Sequence, residues 1–526
     1  MKSVEEKPTV TNTSLDLARP NGDDIEAVSS KGSSALAEKT GHDDGGEVDD
    51  EAKRKLDALH LDPDHAEPAT REERRATLRK IDMVMMPMMC LSVLLQYLDK
   101  SSLNYANLLG IQKDLGLHGQ QYSWLGSIFY IGYLAASPVH GFFMQKLPLT
   151  RYVGVCIILW GTTLALHATC FNYAGLVACR LFLGIFEAAL TPAFILITGR
   201  FYRSKEQVAR TSIWFMQNGT AQILGGAISY GVQTQRPSSL KVWQQLYVIL
   251  GIITFCYGIV VFLVMPEKPE TTRLLTPRQR IVALERIREN KTGLHDRTFK
   301  RAQLYEALLD VRLYLFFFAV ASSNVSNGVS SNFSSVIIKG LGFDNKKAAL
   351  VGMSTGLAEI VAIILGVIVT RYSGTRVIPG VFSFIVAIVG GAMLIGVNDK
   401  ITKLAGYNLI FFFPVASPLL YSWLSSAVAG TTKKIVFNVV LQLGYCAGNI
   451  IGPQTALQRE APEFTTGKIT MLVMFVISAC CLSAIGLVHL LWNRARDARG
   501  EGADDPKLAE LADHTDKELR SFRYPY

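Results

Sequence analysis

After about residue 80, long apolar stretches alternate with short polar turns. A helix needs about 20 mostly apolar residues to cross the hydrocarbon core of a bilayer. By this criterion the chain is predicted to be an all-α membrane protein with twelve transmembrane helices in two six-helix bundles. The predicted spans are 83–106, 121–144, 152–171, 174–199, 210–233, 243–265, 312–337, 348–370, 376–396, 404–425, 434–453 and 469–492.

A polar segment at 266–311 separates the first six predicted helices from the last six. It contains ten Lys and Arg residues, and such clusters are typical of cytoplasmic loops. With an even number of helices, both termini are then predicted to be cytoplasmic. The expected organisation is an acidic disordered tail at 1–70, an N-terminal six-helix bundle at 71–265, a cytoplasmic linker at 266–311, a C-terminal six-helix bundle at 312–492 and a cytoplasmic tail at 493–526.

A short basic motif occurs once in each half, at a shift of 225 residues. In both copies a glycine and two basic residues have the same spacing, between the second and third helices of the bundle. Chance spacing of basic residues in cytoplasmic turns is the alternative explanation. The matching topology of the halves favours a true repeat, as in transporters whose two bundles move about a central site. The motif consists of Gly141, Lys146 and Arg151 in the first half and Gly366, Arg371 and Arg376 in the second.

Charge divides the chain into two unlike regions. Residues 1–70 hold 8 Lys and Arg against 17 Asp and Glu, a net charge of −9. Such an acidic segment with few aromatic residues cannot bury enough apolar surface to fold. The whole chain is +9, so residues 71–526 carry +18. This positive charge is scattered between apolar segments, so it is expected to orient the protein in a lipid bilayer and not to bind nucleic acid.

The sequence predicts neither a secretory signal peptide nor a metal site. Residues 1–19 contain no apolar core of a secretory signal peptide. All eight cysteines fall in or beside apolar stretches, where they are expected to behave as small buried residues. No cofactor and no metal site is predicted.

Four charged residues lie inside predicted spans: Asp99 and Lys100 in the first, Arg180 and Glu187 in the fourth. Ionisable groups within a bilayer are expensive and generally mark a substrate or ion pathway. Arg180 and Glu187 are separated by two helical turns, so they share a face about 10 Å apart. Gly184 lies between them and is expected to open room on that face. Asp99 and Lys100 point about 100° apart on their helix.

These residue types suit the transport of an anion together with a proton. The cations Arg180 and Lys100 can bind a carboxylate. A carboxyl group in a low-dielectric environment favours its protonated form, so Glu187 and Asp99 are candidate proton-coupling residues. The alternatives are buried ion pairs that lock helices together, or long side chains that reach the membrane interface.

Polar side chains in other predicted spans are candidates for a substrate-binding cavity. Amides in a bilayer also hydrogen-bond between neighbouring helices, and the sequence does not separate the two roles. The candidates are Asn104, Gln217, Asn218, Asn332 and Asn449.

The energy source is expected to be an ion gradient. The chain has no phosphate-binding loop of the kind an ATP-driven pump needs. No nucleophile and base are arranged as in an enzyme, so an enzyme is not expected.

Several segments together resemble the Major Facilitator Superfamily over about residues 80–492. More narrowly, they resemble its anion:cation symporter branch and the fungal allantoate permease family. The resemblance implies a cation-coupled carrier of organic anions, in which Asp99 and Glu187 are the protonation sites and Lys100 and Arg180 hold the substrate carboxylate. The segments are Leu98–Ala106, Arg180–Pro192, Trp423, Ala429–Lys433, Gly448–Gln454, Ala461–Pro462 and Thr466–Gly467.

This chain departs from the family pattern at two positions. Leu250 stands where the family usually has Glu, and Ala427 stands where it usually has Asn. The substrate of this chain therefore does not follow from the family alone.

The leading hypothesis is a monomeric transporter that couples proton movement to symport of a small organic anion (a carboxylate, vitamin or ureide-like compound) across the fungal plasma membrane by alternating access. An exporter of an acidic secondary metabolite is the first alternative, and a nutrient receptor that does not transport is the second. Because all four membrane charges precede residue 266, the N-terminal bundle is expected to hold the proton and anion chemistry. The C-terminal bundle is expected to supply shape and amides.

Overall fold

The computed structural model describes residues 69–234, 239–288, 299–500, 514–519 and 522–526. The predicted disordered tail lies almost entirely outside these residues. The N-terminal part contains α1 (Arg71–Leu108), α2 (Ile111–Asp114), α3 (Gln121–Lys146), α4 (Leu149–Leu166), α5 (Tyr173–Glu187), α6 (Leu190–Phe201), α7 (Ser204–Phe215), α8 (Gln217–Thr234) and α9 (Val242–Val264).

Two helices, α10 (Pro277–Arg288) and α11 (Arg301–Leu308), lie in the predicted linker. The C-terminal part contains α12 (Val311–Gly340), α13 (Asn345–Ser373), α14 (Val377–Gly396), α15 (Lys400–Ile410), α16 (Ala416–Ala427), α17 (Thr431–Thr455) and α18 (Thr465–Ala498). We call the side at which α1 begins and α3 ends the linker side. The opposite side, at which α1 and α12 end, is the distal side.

Helix α1 begins well before its predicted apolar span. Thr70 accepts a hydrogen bond from the backbone N–H of Glu73, and the Glu73 carboxylate accepts one from the backbone N–H of Thr70. This capping box satisfies N–H groups that the first turn leaves without partners. The helix then continues for 38 residues, and so carries Asp99 and Lys100 past its middle.

Three predicted spans are interrupted. The fourth consists of α5 and α6, which meet at residues 188–189. The fifth consists of α7 and α8, which meet at Met216, and the tenth has a 3₁₀ turn at Phe413–Val415 between α15 and α16. Apolar periodicity alone does not show such breaks, because the apolar pattern continues on both sides.

Nine helical segments of the described residues are long and apolar enough to cross a bilayer. Three further long segments, α3, α7 with α8, and α12, are not among these nine. They are more polar because they pack at the interface between the two bundles, where α8 meets α13, α3 meets α17 and α12 meets α1. Polar groups there find partners in protein instead of facing lipid.

The turns of the repeated basic motif occupy equivalent places but make different contacts. Lys146 ends α3, and its ammonium lies 4.3 Å from the centre of the Phe142 ring. In the second half, the Arg376 guanidinium donates to Ser426 Oγ over 2.7 Å. The remaining motif residues are Gly141 and Arg151 in the first half and Gly366 and Arg371 in the second.

The end of the chain packs against the C-terminal bundle. Helix α18 extends to Ala498, six residues beyond the predicted end of the bundle. The following described residues return to the linker side, where Asp516 and Tyr524 are buried. Trp423 Nε1 and His489 Nδ1 both bond to the carbonyl oxygen of Pro525, each over 2.7 Å. The predicted tail from 493 is therefore in part an element of the fold.

Candidate functional site

The centre of the N-terminal bundle holds an ion pair between α1 and α5. Lys100 Nζ lies 2.8 Å from Glu187 Oε1. The Glu187 side chain is fully buried, and that of Lys100 is 15% exposed. Neither Glu187 oxygen accepts a well-aligned hydrogen bond from the described residues. The ion pair is therefore the main anchor of this carboxylate.

Asp99 points to a different helix. Its Oδ2 accepts a hydrogen bond of 2.6 Å from Trp160 Nε1 on α4, and the side chain is fully buried. Asp99 and Lys100 thus contact α4 and α5 respectively, as expected for adjacent positions on one helix. Asp99 is thus enclosed by protein and does not extend to the protein surface.

Arg180 lies within electrostatic reach of Asp99. Its NH2 donates a hydrogen bond of 3.0 Å to Tyr247 OH on α9. The Tyr247 ring in turn stacks on His167 with centroids 4.8 Å apart. The Nε of Arg180 is buried and has no hydrogen-bond partner among the described residues, so the guanidinium retains an unused donor.

Gly184 does not open a cavity between Arg180 and Glu187, and this expectation was wrong. A Cβ at this position would lie 2.0 Å from the backbone oxygen of Phe129. The space is filled by the backbone of α3, which approaches α5 closely because the glycine has no side chain. Gly184 is therefore a helix-packing residue, and it brings α3 against the charged face of α5.

An aromatic wall connects the ion pair to the C-terminal bundle. Lys100 Nζ lies 5.8 Å from the centre of the Phe129 ring. Tyr130 and Tyr133 of α3 lie 5.8 and 6.2 Å, centroid to centroid, from Tyr445 of α17. Lys100 also interacts electrostatically with Tyr445. The ion pair of Lys100 and Glu187 therefore lies beside the boundary between the bundles.

The predicted amides mostly bond to protein. Asn104 Nδ2 donates to Ser335 Oγ over 2.9 Å, and Asn104 Oδ1 accepts from the Ser335 backbone N–H over 2.8 Å. Asn332 Nδ2 donates to the Gly328 carbonyl within its own helix. Asn449, fully buried, joins α17 to α12 through Asn324 and Asn327. In this conformation Asn104 and Asn449 hold helices together, whereas the Asn332 amide bonds within its own helix.

The two candidates at the start of α8 are only half-buried. Gln217 Nε2 donates to the Ile213 carbonyl over 3.3 Å, across the break that separates α7 from α8. Asn218 follows it, also half-buried. Neither lies among the residues of the charged centre.

The distal side is closed by hydrogen bonds between the bundles. Besides Asn104 with Ser335, Tyr122 OH donates to the Asn332 carbonyl over 2.8 Å. Gln454 Nε2 donates to Ser127 Oγ over 2.9 Å. A polar cavity of about 20 Å³ remains in this region, large enough for about one water molecule. Its lining comprises Tyr97, Ser101, Asn104, Tyr105, Gln222, Ser330, Ser331, Ser334, Ser335, Gly352, Thr355 and Phe411.

One membrane carboxylate, Glu359, was not among the residues predicted from the sequence. Glu359 lies in the apolar helix α13 and is 2% exposed. Its signal in the sequence, an ionisable residue within an apolar span, is the same as that of Asp99 and Glu187. It also shows that buried acidic chemistry is not confined to the N-terminal bundle. Within the described residues, no group of three His, Cys, Asp or Glu is placed to hold a metal ion.

Residues 89–453, most of the helical region, match the Major Facilitator Superfamily. The chain belongs to this superfamily. Its members are transporters and not enzymes, in agreement with the expectation from sequence.

Relatives of this Major Facilitator Superfamily protein are fungal. The allantoate permease of Saccharomyces cerevisiae is 36% identical over 472 residues, which cover 86% of this chain and 87% of the relative. A thiamine pathway transporter of the same yeast is 33% identical, with 85% and 86% covered. An uncharacterized transporter of Schizosaccharomyces pombe is 35% identical, with 89% and 92% covered. The expected family is confirmed.

Solved structures share the fold. A bacterial homolog of the human lysosomal transporter Spinster, inward-facing and unoccupied, superimposes with a TM-score of 0.59 at 12% identity, covering 79% of this chain and 96% of that one. A D-xylose-proton symporter gives a TM-score of 0.57 at 14% identity, with 76% and 96% covered. The chain is thus a multi-pass membrane protein with the fold of these transporters.

Proposed function

We propose that this protein is a secondary active transporter that carries a small organic anion together with a proton. The observation that carries the proposal is the buried ion pair between Lys100 and Glu187, 2.8 Å apart and beside the boundary of the two bundles. Because this cation and this proton-accepting carboxylate are in contact, binding of a proton can be coupled to binding of the substrate anion.

The linkage follows from charge balance. While Glu187 is ionised, it occupies Lys100. Protonation of Glu187 removes that charge and leaves the ammonium without its anion, so a substrate carboxylate can take its place. Asp99 and Arg180 form a second acid and cation close by, and Arg180 retains a free donor. A proton and an anion bound together place no additional net charge in the site.

The substrate class is supported by the relatives. One relative is named an allantoate permease, and allantoate is a carboxylate that also carries ureido groups. A proton symporter is among the proteins that share the fold. A small carboxylate, vitamin or ureide-like anion therefore fits the two cations of the site, with substrate contacts from the amides at 104, 217, 218, 332 and 449 when the bundles separate.

The proposal includes the membrane topology. The helices α3, α7 with α8, and α12 also cross the bilayer, which makes twelve spans in two groups of six. The basic linker and both termini lie in the cytoplasm, and the protein acts as a monomer in the plasma membrane. Distal closure by the hydrogen bonds around Asn104 and Tyr122 then corresponds to a conformation closed on the outside.

The test is uptake of a panel of labelled organic acids by cells that express the chain, at two external pH values. We expect uptake of one carboxylate to rise when the outside is made acidic and to collapse when a protonophore removes the gradient. Cells that express Glu187→Gln serve as the control for expression. Uptake that is independent of the pH gradient would contradict proton coupling.

A further inference from the structure

Glu359 is a buried carboxyl that the proposed anion site does not use. It lies on α13 of the C-terminal bundle, and its Oε2 accepts a hydrogen bond from Gln222 Nε2 on α8 of the N-terminal bundle. Thr355, one turn earlier on α13, donates to Gln222 Oε1 over 2.8 Å. These side chains form a polar link between the bundles, beside the small distal cavity.

The link lies where the backbones of the two bundles are in direct contact. A Cβ on Gly356 would be 2.4 Å from the Gly219 oxygen, and a Cβ on Gly219 would be 2.6 Å from the Gly356 oxygen. A Cβ on Gly226 would meet the Ala349 oxygen at 2.7 Å. Helices this close leave no room between them, so the bundles cannot part here without breaking the bond between Gln222 and Glu359.

Glu359 differs from Glu187 because no cation compensates it. Among the described residues, the neutral amide of Gln222 donates a hydrogen bond to its carboxyl, and the phenol of Tyr97 on α1 interacts with it electrostatically. No charged side chain described in α12, α14 or α15 interacts electrostatically with the Glu359 carboxyl. An ionised carboxylate buried without a cation is costly by several kcal/mol. Closing the contact therefore favours the neutral carboxyl, and opening it to water favours the ionised one.

We propose that Glu359 is a proton-linked latch between the two bundles. The proton enters from the distal solution as α8 and α13 close together, and returns to that solution as they part. Glu359 therefore sets the pH dependence of distal closure, while the transported proton resides in the N-terminal bundle. The inference rests on the proposed transport cycle, because only a protein whose bundles separate needs such a latch.

The test is hydrogen–deuterium exchange of the full chain in detergent, corrected for the intrinsic effect of pH. Peptides from α8 and α13 are followed over about pH 5 to 9. In the wild type we expect exchange of these peptides to rise with pH by about tenfold per unit above a threshold, as linkage to a single proton requires. In Glu359→Gln we expect protection at every pH, because the amide cannot ionise and its oxygen still accepts from Gln222.

Two further variants complete the experiment. Glu463→Gln makes the same chemical change at an exposed distal position, so it should behave as the wild type. Gln222→Glu places a second carboxyl in the contact and should move the loss of protection to lower pH. Should Glu359→Gln fail to fold, Glu359→Asp keeps a titratable carboxyl and should retain a transition.

A wild type without a pH transition, or a Glu359→Gln variant with the transition of the wild type, would overturn the latch. Hydrogen exchange is measured without transport, so the result can contradict the latch without contradicting proton-coupled transport, and the reverse. Loss of gradient-driven uptake with an intact exchange transition would reject proton symport alone. We expect Glu187→Gln to lose uptake and keep the transition.

Discussion

At the scale of the residue, the role of each charged side chain in the site depends on the group that it contacts. Glu187 faces Lys100, Asp99 faces Trp160 and Arg180 faces Tyr247. Each acid is therefore held by a different kind of donor, and of these three contacts only that of Glu187 is with a cation. Protonation of Glu187 therefore leaves the Lys100 ammonium without its ion-pair partner.

The first prediction concerns Glu187→Gln. Glutamine keeps the shape but carries no charge that a proton can neutralise, so we expect loss of gradient-driven accumulation while exchange of labelled for unlabelled substrate persists. Reconstituted liposomes with and without a pH gradient measure both activities. Net uptake in the variant that still follows the gradient would exclude Glu187 as the coupling residue.

The second prediction concerns Arg180→Ala. Removing the buried guanidinium deprives the substrate carboxylate of a donor and removes the cation that interacts most strongly with Asp99. The loss of one partner of a buried charge pair costs about 2–5 kcal/mol, so we expect the affinity for a carboxylate substrate to fall by at least tenfold. Arg494→Ala, which removes an exposed basic side chain of α18, is the control. Unchanged affinity in the Arg180 variant would end its role as a substrate ligand.

At the scale of the helix, close packing decides where the charged residues meet. Gly184 allows α3 to lie against α5, and Gly219 and Gly356 allow α8 to lie against α13. In a bilayer, such contacts between small residues supply much of the attraction between helices. The charged face of α5 and the latch on α13 therefore both depend on neighbouring glycines.

The third prediction follows from Gly184→Ala. The added methyl group would overlap with the Phe129 carbonyl, a backbone atom that cannot turn away. Overpacking of this kind costs about 1–3 kcal/mol, so we expect a lower unfolding temperature in detergent and reduced transport. Gly199→Ala is the matched control, because nothing lies within 4 Å of a Cβ there. Equal stability of the two variants would show that α3 and α5 can separate without loss.

At the scale of the whole molecule, the end of the chain is tied to the C-terminal bundle by a buried charge network. Arg312 NH2 lies 2.6 Å from both Asp310 Oδ2 and Asp516 Oδ2. Lys433 Nζ lies 2.8 Å from Asp516 Oδ1 and 2.8 Å from Glu306 Oε1. The network joins α11 of the linker, the linker-side ends of α12 and α17, and the described segment at 514–519.

The fourth prediction is the acid response of this network. Burial raises the pKa of Asp310, but Arg312 and Lys433 outweigh it and lower the pKa to about 2. Against the same effect of burial, Arg312 and Lys433 also lower the pKa of Asp516. A carboxyl group whose pKa is lower in the folded state stabilises the fold at pH values above its unfolded-state pKa, near 3.8. This stabilisation is lost as the pH falls through the folded-state pKa.

We therefore expect hydrogen exchange at 514–519, corrected for the intrinsic effect of pH, to be constant from neutral pH to about pH 5 and to increase at lower pH. Asp516→Asn should release the segment at neutral pH, since removing one member of a buried pair costs about 3–5 kcal/mol. Release of the wild-type segment near pH 6 would contradict this and indicate His489, which bonds to Pro525.

Much of the architecture follows from the sequence. The need to bury about 20 apolar residues per span predicted the helices, and the charges at 99, 100, 180 and 187 were visible because ionisable residues are rare in such spans. The same rule applies to Glu359, which was overlooked although its signal was present. The breaks at 188–189 and 413–415 lie near Pro192 and at Pro414, which cannot donate a helical hydrogen bond, whereas the break at 216 has no comparable signal.

Only the tertiary structure decided which charged groups are partners. Helical periodicity gives the direction of a side chain on its own helix but not the helix that faces it. The contact of Lys100 with Glu187, the filling of the space at Gly184 and the bond of Gln222 to Glu359 each join residues of different helices. Their positions depend on backbone approach between helices, which is set by packing over the whole molecule.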